Sequence, residues 1–247
     1  MSSSPIILKE NFQITSADTD FSKTLRPSAL INMLIQVAWH HAEILEFGVD
    51  MMNRESIIWM LSRMQIRIYL HPFWNDNLSI TTWPKGVRRL FYLRDFEVHD
   101  SLDRLVAQAT SEWILIDVKA KRPKLYNPEN NIFNQNKDKH ALKNAVSVLD
   151  AINTDAESFS NQVKYSDVDL NQHLTTTRYI DWMMDTYSME FHSKNKCKAL
   201  ILNFIREVPF SEKVDIQRTK DNSINCFHFG FKKPDGEKDL FRGQLCF

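Results

Sequence analysis

The segment YSDVDLNQHLTTTRYIDWMMD, residues 165–185, joins a cluster of polar side chains to the start of a helix. Asp169, Asn171 and His173 alternate along the chain, so they point the same way if the segment is extended. Mainly apolar residues then recur at the spacing of one helix face: Tyr179, Trp182, Met183, Thr186 and Tyr187. The segment therefore predicts a polar stretch that leads directly into an amphipathic helix.

The position of these polar groups suggests a chemical role. Thr175 or Thr176 is placed to cap the start of the helix. A carboxylate, an amide and an imidazole would then lie at a helix N-terminus, where the helix dipole and free N–H groups help to hold an oxyanion. Asp, Asn and His are also ordinary turn and cap residues, so the residue types alone favour neither interpretation.

The composition argues against several classes of protein. The chain has 247 residues, 43% of them hydrophobic, which is enough for one large core or two small domains. Its formal net charge is +0, whereas a nucleic-acid-binding protein usually carries a basic excess. The 5 glycines form no phosphate-binding loop. We expect no cofactor.

The cysteines and the N-terminal residues bear on the cellular setting. Cys197, Cys226 and Cys246 lack the spacing of a metal site, and a reduced, cytoplasmic setting is expected for them. The start of the chain has no basic region or apolar core of a signal peptide, and the apolar run 29–39 is too short to span a bilayer. A soluble protein of the cytoplasm is therefore predicted.

The first half predicts a strand, one long helix and then a series of strands. A short strand is expected around Phe12 and Ile14, and Pro27 opens a helix that Gly48 is placed to end. From Ile57 the apolar period changes to two, which predicts strands over residues 57–70, 78–82, 91–98 and 105–118. This order is typical of the hotdog fold, a curled antiparallel sheet around one central helix.

One pair of residues on the long helix resembles metal ligands. His40 and Glu43 lie one turn apart, but no second pair occurs elsewhere in the chain. We therefore interpret them as helix-surface or core residues and expect no metal site.

The same unit is used twice. Asp18-Thr19-Asp20 and Asp167-Val168-Asp169 lie 149 residues apart, and a helix follows each. A strand, 57–70 or 199–207, comes next and ends in a Pro-Phe pair, and further strands follow it. The predicted domains are residues 1–124, a linker over 125–160, and residues 161–247. Within the linker, the weak apolar pattern from Ala141 to Leu149 predicts one short helix.

The two copies differ in their chemical residues. At the offset of 149 residues, Asn171 corresponds to Ser22 and His173 to Thr24. If the Pro-Phe pairs are aligned, Glu207 corresponds to Leu70. One active site is therefore predicted, in the second half. Glu207 ends a mostly apolar strand row and is expected to be partly desolvated, although a lone Glu there is more commonly a surface charge.

Several motifs, in order from about Phe12 to Val214, are similar to those of the acyl-ACP thioesterases. In the second half they are Asp-x-Asn-Gln-His at 169–173, the Tyr-x-x-Trp helix at 179–182, and Arg-Glu-Val at 206–208. In the first half they are 59–65 (WMLSRMQ), 71–76 (HPFWND), 82–86 (TWPKG), 109–113 (ATSEW) and 119–124 (KAKRPK). The family carries Cys at the position of Val208, so a thiol mechanism there is excluded. It also carries Asn-Asn where Thr175-Thr176 stand. Its plastid members carry a long transit segment that this sequence lacks, so the resemblance implies a bacterial origin.

This resemblance implies a fold and an activity. The fold class is α+β, a tandem (double) hotdog with two antiparallel sheets, each curled around a long central helix. The activity is hydrolysis of fatty acyl-ACP to free fatty acid and acyl carrier protein, with the N-terminal hotdog domain binding the acyl chain and the C-terminal one carrying catalysis. The predicted catalytic residues are Asp169, Asn171, His173 and Glu207.

The mechanism remains open at two points. Glu207 or Asp169 would activate a water molecule that attacks the thioester carbonyl, while His173 and Asn171 orient that network. An acyl-enzyme on either carboxylate is the other route. The three cysteines are interpreted as small buried hydrophobic residues.

Two further sets of residues are predicted to meet the substrate. The acyl pocket is expected to include Met33, Leu34, Val37, Trp59, Leu61 and Met64. Acyl carrier protein is acidic, so a basic docking surface is expected on one of two clusters. They are Lys85, Arg88, Arg89 and Arg94, or Lys119, Lys121, Arg122 and Lys124.

Two alternative functions stay open, because similar folds host different activities. One is an acyl-CoA thioesterase, and the other is a non-catalytic acyl-binding regulatory module. The chemical residues are kept in only one half, and a binding module has no need of that asymmetry. Stable membrane insertion is not expected, and homodimerisation stays open.

Overall fold

The structure is a computed structural model that describes residues 6–126, 132–152, 155–221, 224–234, 236 and 238–247. The chain divides into two units. The first unit consists of Met1–Leu25 and Met33–Val146, and the second consists of Arg26–Asn32 and Ser147–Phe247.

The period-two stretches of the first half form an antiparallel sheet. Its strands are β1 (Leu8–Gln13), β2 (Ile57–Ile68), β3 (Asn77–Arg88), β4 (Phe91–Asp100), β5 (Leu105–Asp117) and the short β6 (Arg122–Pro123). They are ordered β1-β3-β4-β5-β2, and β6 pairs with β5. Met64, Ile66 and Ile68 are buried on β2, as their alternation predicts. The predicted strands of this half are confirmed.

Helix α1 (Pro27–Ile44) begins at the predicted proline and is followed by α2 (Val49–Glu55). Gly48 lies between the two helices, and a Cβ there would displace the Glu43 carboxylate from its position. That carboxylate accepts a hydrogen bond from the backbone N–H of Val49 (2.9 Å) and so caps α2. Glu43 therefore has a structural role, and His40 pairs with Glu10.

The second unit repeats this plan with a shorter helix. Its strands are β7 (Glu157–Gln162), β8 (Ala199–Phe204), β9 (Lys213–Asp221), β10 (Cys226–Lys232) and β11 (Asp239–Cys246), ordered β8-β11-β10-β9-β7. Its helices are α3 (Thr176–Met184) and the short α4 (Met189–Lys194).

Aromatic side chains join α3 to the sheet. The Tyr179 ring lies 5.3 Å from Phe204, 5.6 Å from Phe231 and 4.8 Å from Phe241, measured between centroids. Burial of each large apolar side chain stabilises the fold by about 1.5–3 kcal/mol. Gly243 lets the helix approach, because a Cβ there would overlap Met183 Sδ.

The linker prediction is wrong in two respects. Strand β7 begins at Glu157, inside the predicted linker, and ends two residues beyond it at Gln162; its polar sequence and edge position hide the strand signal. The predicted helix over 141–149 is absent from the described residues. The Ala141 N–H donates instead to the Asp95 carboxylate (2.7 Å), and the Leu149 N–H donates to the Asn203 side chain (2.8 Å). Side chains of the sheet thus accept hydrogen bonds from backbone N–H groups that would bond to carbonyls in a helix.

The cysteines also differ from the expectation of three reduced thiols. Cys226 and Cys246 form a disulfide, because β10 and β11 place them directly opposite each other. Cys197 belongs to no disulfide and is buried, as predicted for a small hydrophobic residue. Spacing in the sequence does not reveal this pairing, which depends on strand register. Among the described residues, no helix is both long and apolar enough to cross a membrane.

Candidate active site

The loop before α3 is anchored by Asp167, which lies in a single 3-10 turn over Tyr165–Asp167. Its carboxylate accepts a hydrogen bond from the Lys164 N–H (2.8 Å) and pairs with the Arg178 guanidinium (3.1 Å). Because Arg178 belongs to α3, this ion pair fixes the loop against the helix. The role of Asp167 is therefore structural.

Asp169 holds the next residues in a tight turn. Its Oδ1 accepts hydrogen bonds from the backbone N–H groups of Asn171 (2.8 Å) and His173 (3.2 Å). Its own N–H donates to the His173 carbonyl (2.9 Å), and Gln172 has a φ of 63°. The segment is thus a turn and not the extended strand that alternation suggested. An Asp carboxylate that bonds nearby backbone donors competes with the strand geometry.

His173 and Glu207 are brought together. His173 Nε2 lies 3.4 Å from Glu207 Oε2, and their side chains are 30% and 42% exposed. The backbone fixes this pairing, because the N–H of Leu174 donates to the carbonyl of Val208 (2.7 Å). Strand β8 ends at Phe204, so Glu207 lies in the following loop and is more exposed than predicted.

The other two predicted residues differ in their placement. Asp169 is joined to His173 through the backbone, and Asn171 is exposed on the same turn. Thr175 is the N-cap of α3, as predicted, although its side chain makes no capping hydrogen bond. The first N–H groups of α3 have no carbonyl partner within the helix, as at any helix start.

Tyr179 belongs to the surroundings of the site, which sequence reasoning missed. Burial raises the pKa of Tyr179, and the charges of Glu207 and Asp169 raise that pKa further. The phenol therefore stays protonated beside two carboxylates. Its apolar helix spacing identified Tyr179 as a core residue, and no sequence signal marked its proximity to the acids.

The structure shifts the internal alignment by one residue. Two pairs of backbone N–H groups occupy matching positions: Tyr69 and Leu70, which donate to Val106 O, and Ile205 and Arg206, which donate to Leu240 O. The loops are thus 136 residues apart. Glu207 therefore corresponds to His71, and the predicted correspondence with Leu70 is wrong. The adjacent Pro-Phe pairs occupy different structural positions.

The first unit contains an apolar cavity. It is lined by Ala38, Trp39, Ala42, Leu45, Phe47, Trp59, Pro84, Tyr92, Leu93, Arg94, Trp113 and Phe133. Of the six residues predicted for an acyl pocket, Trp59 is in this lining. Met33, Leu34, Val37 and Met64 are buried, and Leu61 is half-buried. The cavity lies along the C-terminal half of α1, which the apolar spacing did not distinguish from its N-terminal half.

The first basic cluster is only partly at the surface. Lys85 is buried and its Nζ lies 2.9 Å from an Asp95 carboxylate oxygen, while Arg94 is 9% exposed. Arg88 pairs with the fully buried Glu112 (2.5 Å). Burial thus removes Lys85 and Arg94 from the predicted role, whereas the Arg88 side chain is 47% exposed and Arg89 is exposed as well.

The second cluster remains at the surface. Lys119, Lys121 and Arg122 are exposed on the turn after β5. Lys124 is half-buried and lies 3.9 Å from Glu55. Within the described part of the chain, no group of three or more His, Cys, Asp or Glu side chains is arranged to hold a metal ion.

Comparisons with known proteins agree with this architecture. The acyl-ACP thioesterase N-terminal domain family matches residues 5–131, and the acyl-ACP thioesterase C-terminal domain family matches residues 151–240. The Arabidopsis thaliana chloroplastic oleoyl-acyl carrier protein thioesterase 1 is 25% identical over 242 residues, which are 87% of this chain and 64% of that protein. The chain thus spans less than two thirds of the length of this relative.

Solved structures show the same fold. An acyl-ACP thioesterase from Bacteroides thetaiotaomicron superposes with a TM-score of 0.89 and 26% identity over 100% of both chains. The 12:0-ACP thioesterase from Umbellularia californica superposes with a TM-score of 0.85 and 17% identity, covering 98% of this chain and 94% of that one. The predicted α+β tandem hotdog class is confirmed. The chain belongs to the acyl-ACP thioesterase family.

Proposed function

We propose that this protein hydrolyses fatty acyl-ACP to free fatty acid and acyl carrier protein, and so ends or diverts fatty acid synthesis. The observation that carries the proposal is the His173–Glu207 pair, held beside the Asp169 turn at the start of α3. A carboxylate and an imidazole in contact are the groups that activation of water requires.

In this mechanism Glu207 is the general base. It takes a proton from a water molecule whose oxygen attacks the thioester carbonyl carbon. The C–S bond then breaks, and the leaving thiolate of the carrier takes up the proton that Glu207 received, which restores the base. The exposed position of Glu207 leaves it open to water and substrate, and His173, 3.4 Å away, orients its carboxylate. A positioned base accelerates such a step by about 10²–10⁴-fold.

Asp169 and Asn171 support the reaction in different ways. The Asp169 Oδ1 already accepts two backbone hydrogen bonds, so we assign it to positioning the turn and not to proton transfer. Asn171 is exposed on the turn, where its amide is placed to orient water or substrate. The first N–H groups of α3 are candidates to stabilise the oxyanion.

The two domains divide the work in this proposal. The first unit holds the acyl chain in its aromatic cavity, and the second unit carries the reaction. The exposed cations Lys119, Lys121 and Arg122 are the favoured dock for the acidic carrier protein. A charge-reversing triple variant should raise the KM for acyl-ACP, and an unchanged KM would exclude this dock.

We also infer a bacterial, cytoplasmic setting. The Cys226–Cys246 disulfide is the observation that opposes it, because disulfides are rare in a reducing compartment. Thiol titration of protein that was alkylated inside intact cells tests the inference. Three free thiols would support the cytoplasmic setting, and one free thiol would oppose it.

The function is tested by measuring fatty acid release from acyl-ACPs of short to long chains. Wild type should hydrolyse at least one chain length rapidly, and Glu207→Gln should lose about 10²–10⁴-fold in kcat. Glu190→Gln is the matched control, because Glu190 lies in the same unit and is paired only at the surface with Lys194. Hydrolysis of CoA thioesters alone would indicate an acyl-CoA thioesterase. Tight ligand binding without any free acid would indicate a binding module.

A further inference from the structure

Arg94 is a buried cation inside the apolar cavity of the first unit. It lies on β4 and is 9% exposed, and the cavity around it contains three tryptophans. They are Trp39, Trp59 and Trp113. A full charge is seldom buried in protein unless a partner of opposite charge accompanies it.

The neighbours of Arg94 do not balance its charge. Its Nη1 lies 2.9 Å from His41 Nδ1 and 3.1 Å from Thr82 Oγ1, and both partners are acceptors without a formal negative charge. Among the residues that the structure describes, no carboxylate forms an ion pair with Arg94. Burial lowers the pKa of Arg94 to about 10, so it still carries its charge at neutral pH.

The carboxylate of the neighbouring residue, Asp95, is bonded to other groups and does not pair with Arg94. Successive side chains on a strand point to opposite faces, so Asp95 lies on the other face of the sheet from Arg94. There it receives hydrogen bonds from Lys85 (2.9 Å), Thr110 (2.7 Å) and the Ala141 N–H (2.7 Å). Asp95 is therefore saturated by partners of its own.

Arg94 retains donors for one more partner. A guanidinium carries five N–H donors and no acceptor. Both side-chain contacts of Arg94 in the described part of the chain involve Nη1, which leaves Nε and Nη2. A purely hydrocarbon occupant would cover these donors without satisfying them, which is unfavourable. An occupant with an acceptor oxygen would satisfy them.

We propose that the cavity recognises an acyl chain that carries an oxygen substituent, a hydroxyl or keto group, and that Arg94 is the residue that selects it. This inference rests on the proposed function, since it names the class of acyl group that the enzyme takes. The aromatic lining holds the hydrocarbon part, and the guanidinium donates to the oxygen. A site built around such a donor discriminates against the analogue that lacks the oxygen.

Binding of fatty acid methyl esters tests the inference without relying on hydrolysis, because the ester removes the free carboxylate that would itself pair with Arg94. Quenching of tryptophan fluorescence reports the cavity directly, because three tryptophans line it. The ligands are chains of one length, either unsubstituted or carrying one hydroxyl near the carboxyl end, in the middle or at the far end. Wild type should bind the best hydroxylated chain about tenfold or more tightly than the unsubstituted chain.

Variants identify the responsible residue. Arg94→Met keeps the length of the side chain but removes its donors, and it should bring the ratio of the two Kd values to about one. Arg94→Lys keeps a donor and should retain part of the preference. Arg67→Met is the matched control, because Arg67 is exposed on β2, and it should leave the ratio unchanged.

Several outcomes would overturn the inference. Equal affinity of wild type for both chains would do so, as would an unchanged ratio in Arg94→Met. A variant that only accepts longer unsubstituted chains would show that Arg94 limits chain length instead. If Arg94→Met does not fold, as judged by circular dichroism, Arg94→Lys decides: a ratio equal to that of wild type in the lysine variant overturns the proposal.

The proposed hydrolysis and the proposed role of Arg94 can be tested separately. The kcat/KM values for matched hydroxylated and unsubstituted acyl-ACPs are measured beside the affinities. An oxygen preference in binding without hydrolysis of any acyl-ACP would refute the proposed function and leave the role of Arg94 standing. Hydrolysis without an oxygen preference would refute only the role of Arg94.

Discussion

The loop before α1 and the loop before α3 have almost the same backbone hydrogen bonds but different side chains for chemistry. Asp20 Oδ1 accepts from the N–H groups of Ser22 (2.8 Å) and Thr24 (3.0 Å), as Asp169 Oδ1 does from those of Asn171 (2.8 Å) and His173 (3.2 Å). Lys23 and Gln172, at matching positions, have φ values of 61° and 63°. The turn is therefore a property of the repeated unit.

This comparison distinguishes the residues that form the turn from those that take part in the reaction. The first loop keeps the aspartate although it has Thr24 and His71 where the second has His173 and Glu207. An aspartate that makes the same bonds in both loops has a structural task in each. Two of the residues that differ, His173 and Glu207, are in contact with each other. Chemistry is thus assigned to the residues that distinguish the copies.

Exchange of the base should have the largest effect. Glu207→His places the first-half residue in the second loop, and it should lower kcat by about 10²–10⁴-fold because the carboxylate base is lost. Steady-state release of fatty acid measures this change. His71→Ala, at the matching position of the first loop, should leave kcat within about twofold. A large loss of kcat in His71→Ala would contradict the conclusion that only the second loop carries the chemistry.

Exchange of the imidazole should have a smaller effect. His173→Thr introduces the residue found at Thr24, and it should lower kcat by about 10–10²-fold, since Glu207 keeps its carboxylate but loses the group that orients it. The same assay measures the loss. Activity equal to that of wild type would remove His173 from the mechanism.

The packing of α3 gives a prediction about stability. Gly243 in β11 corresponds to Ala109 in β5, because they pair with Leu202 and Ile66, which are also equivalent. Gly243→Ala should lower the free energy of unfolding by about 1–3 kcal/mol, because the new Cβ overlaps Met183 Sδ and lies 2.9 Å from Phe241. Urea denaturation measures the change.

Gly230 is the control for this substitution. A Cβ at Gly230 meets no atom closer than 3.7 Å, so Gly230→Ala should change the free energy of unfolding by less than about 1 kcal/mol. If both alanine substitutions change the free energy of unfolding equally, Gly243 is not needed for the close approach of α3.

Removal of either turn aspartate should have the smallest effect on stability. The two variants should nevertheless differ in kcat. Asp20→Ala and Asp169→Ala should each lower the free energy of unfolding by about 1–2 kcal/mol, since each loses two backbone hydrogen bonds. Denaturation curves and kcat are measured for both. Only Asp169→Ala should also lower kcat. A loss of kcat in Asp20→Ala without loss of folded protein would contradict the structural assignment.

Local patterns predicted much of the fold. The period-two run that contains Met64 and Ile66 is β2, and the helix opened by Pro27 is α1, because alternation and helical spacing follow directly from burial of one face. The polar strand β7 was missed because none of its side chains is buried. A strand of this kind is defined by its hydrogen-bonded neighbour, which the sequence does not show.

The site residues were predicted as residue types but not as an arrangement. Asp169, His173 and Glu207 lie in one region, yet the turn at Gln172 and the loop position of Glu207 depend on backbone bonds between distant segments. The one-residue shift that relates Glu207 to His71 has the same origin. The burial of Arg94 was also missed, because a basic residue on a strand is usually exposed.

The central claim is that His173 and Glu207 act as one unit in the second half of the chain. The most direct measurement is kcat for wild type, His173→Gln, Glu207→Gln and the double variant with one acyl-ACP. The account predicts that the double variant is no slower than Glu207→Gln, since His173 works through Glu207. Losses that multiply, so that the double variant shows the product of the two single effects, would contradict it.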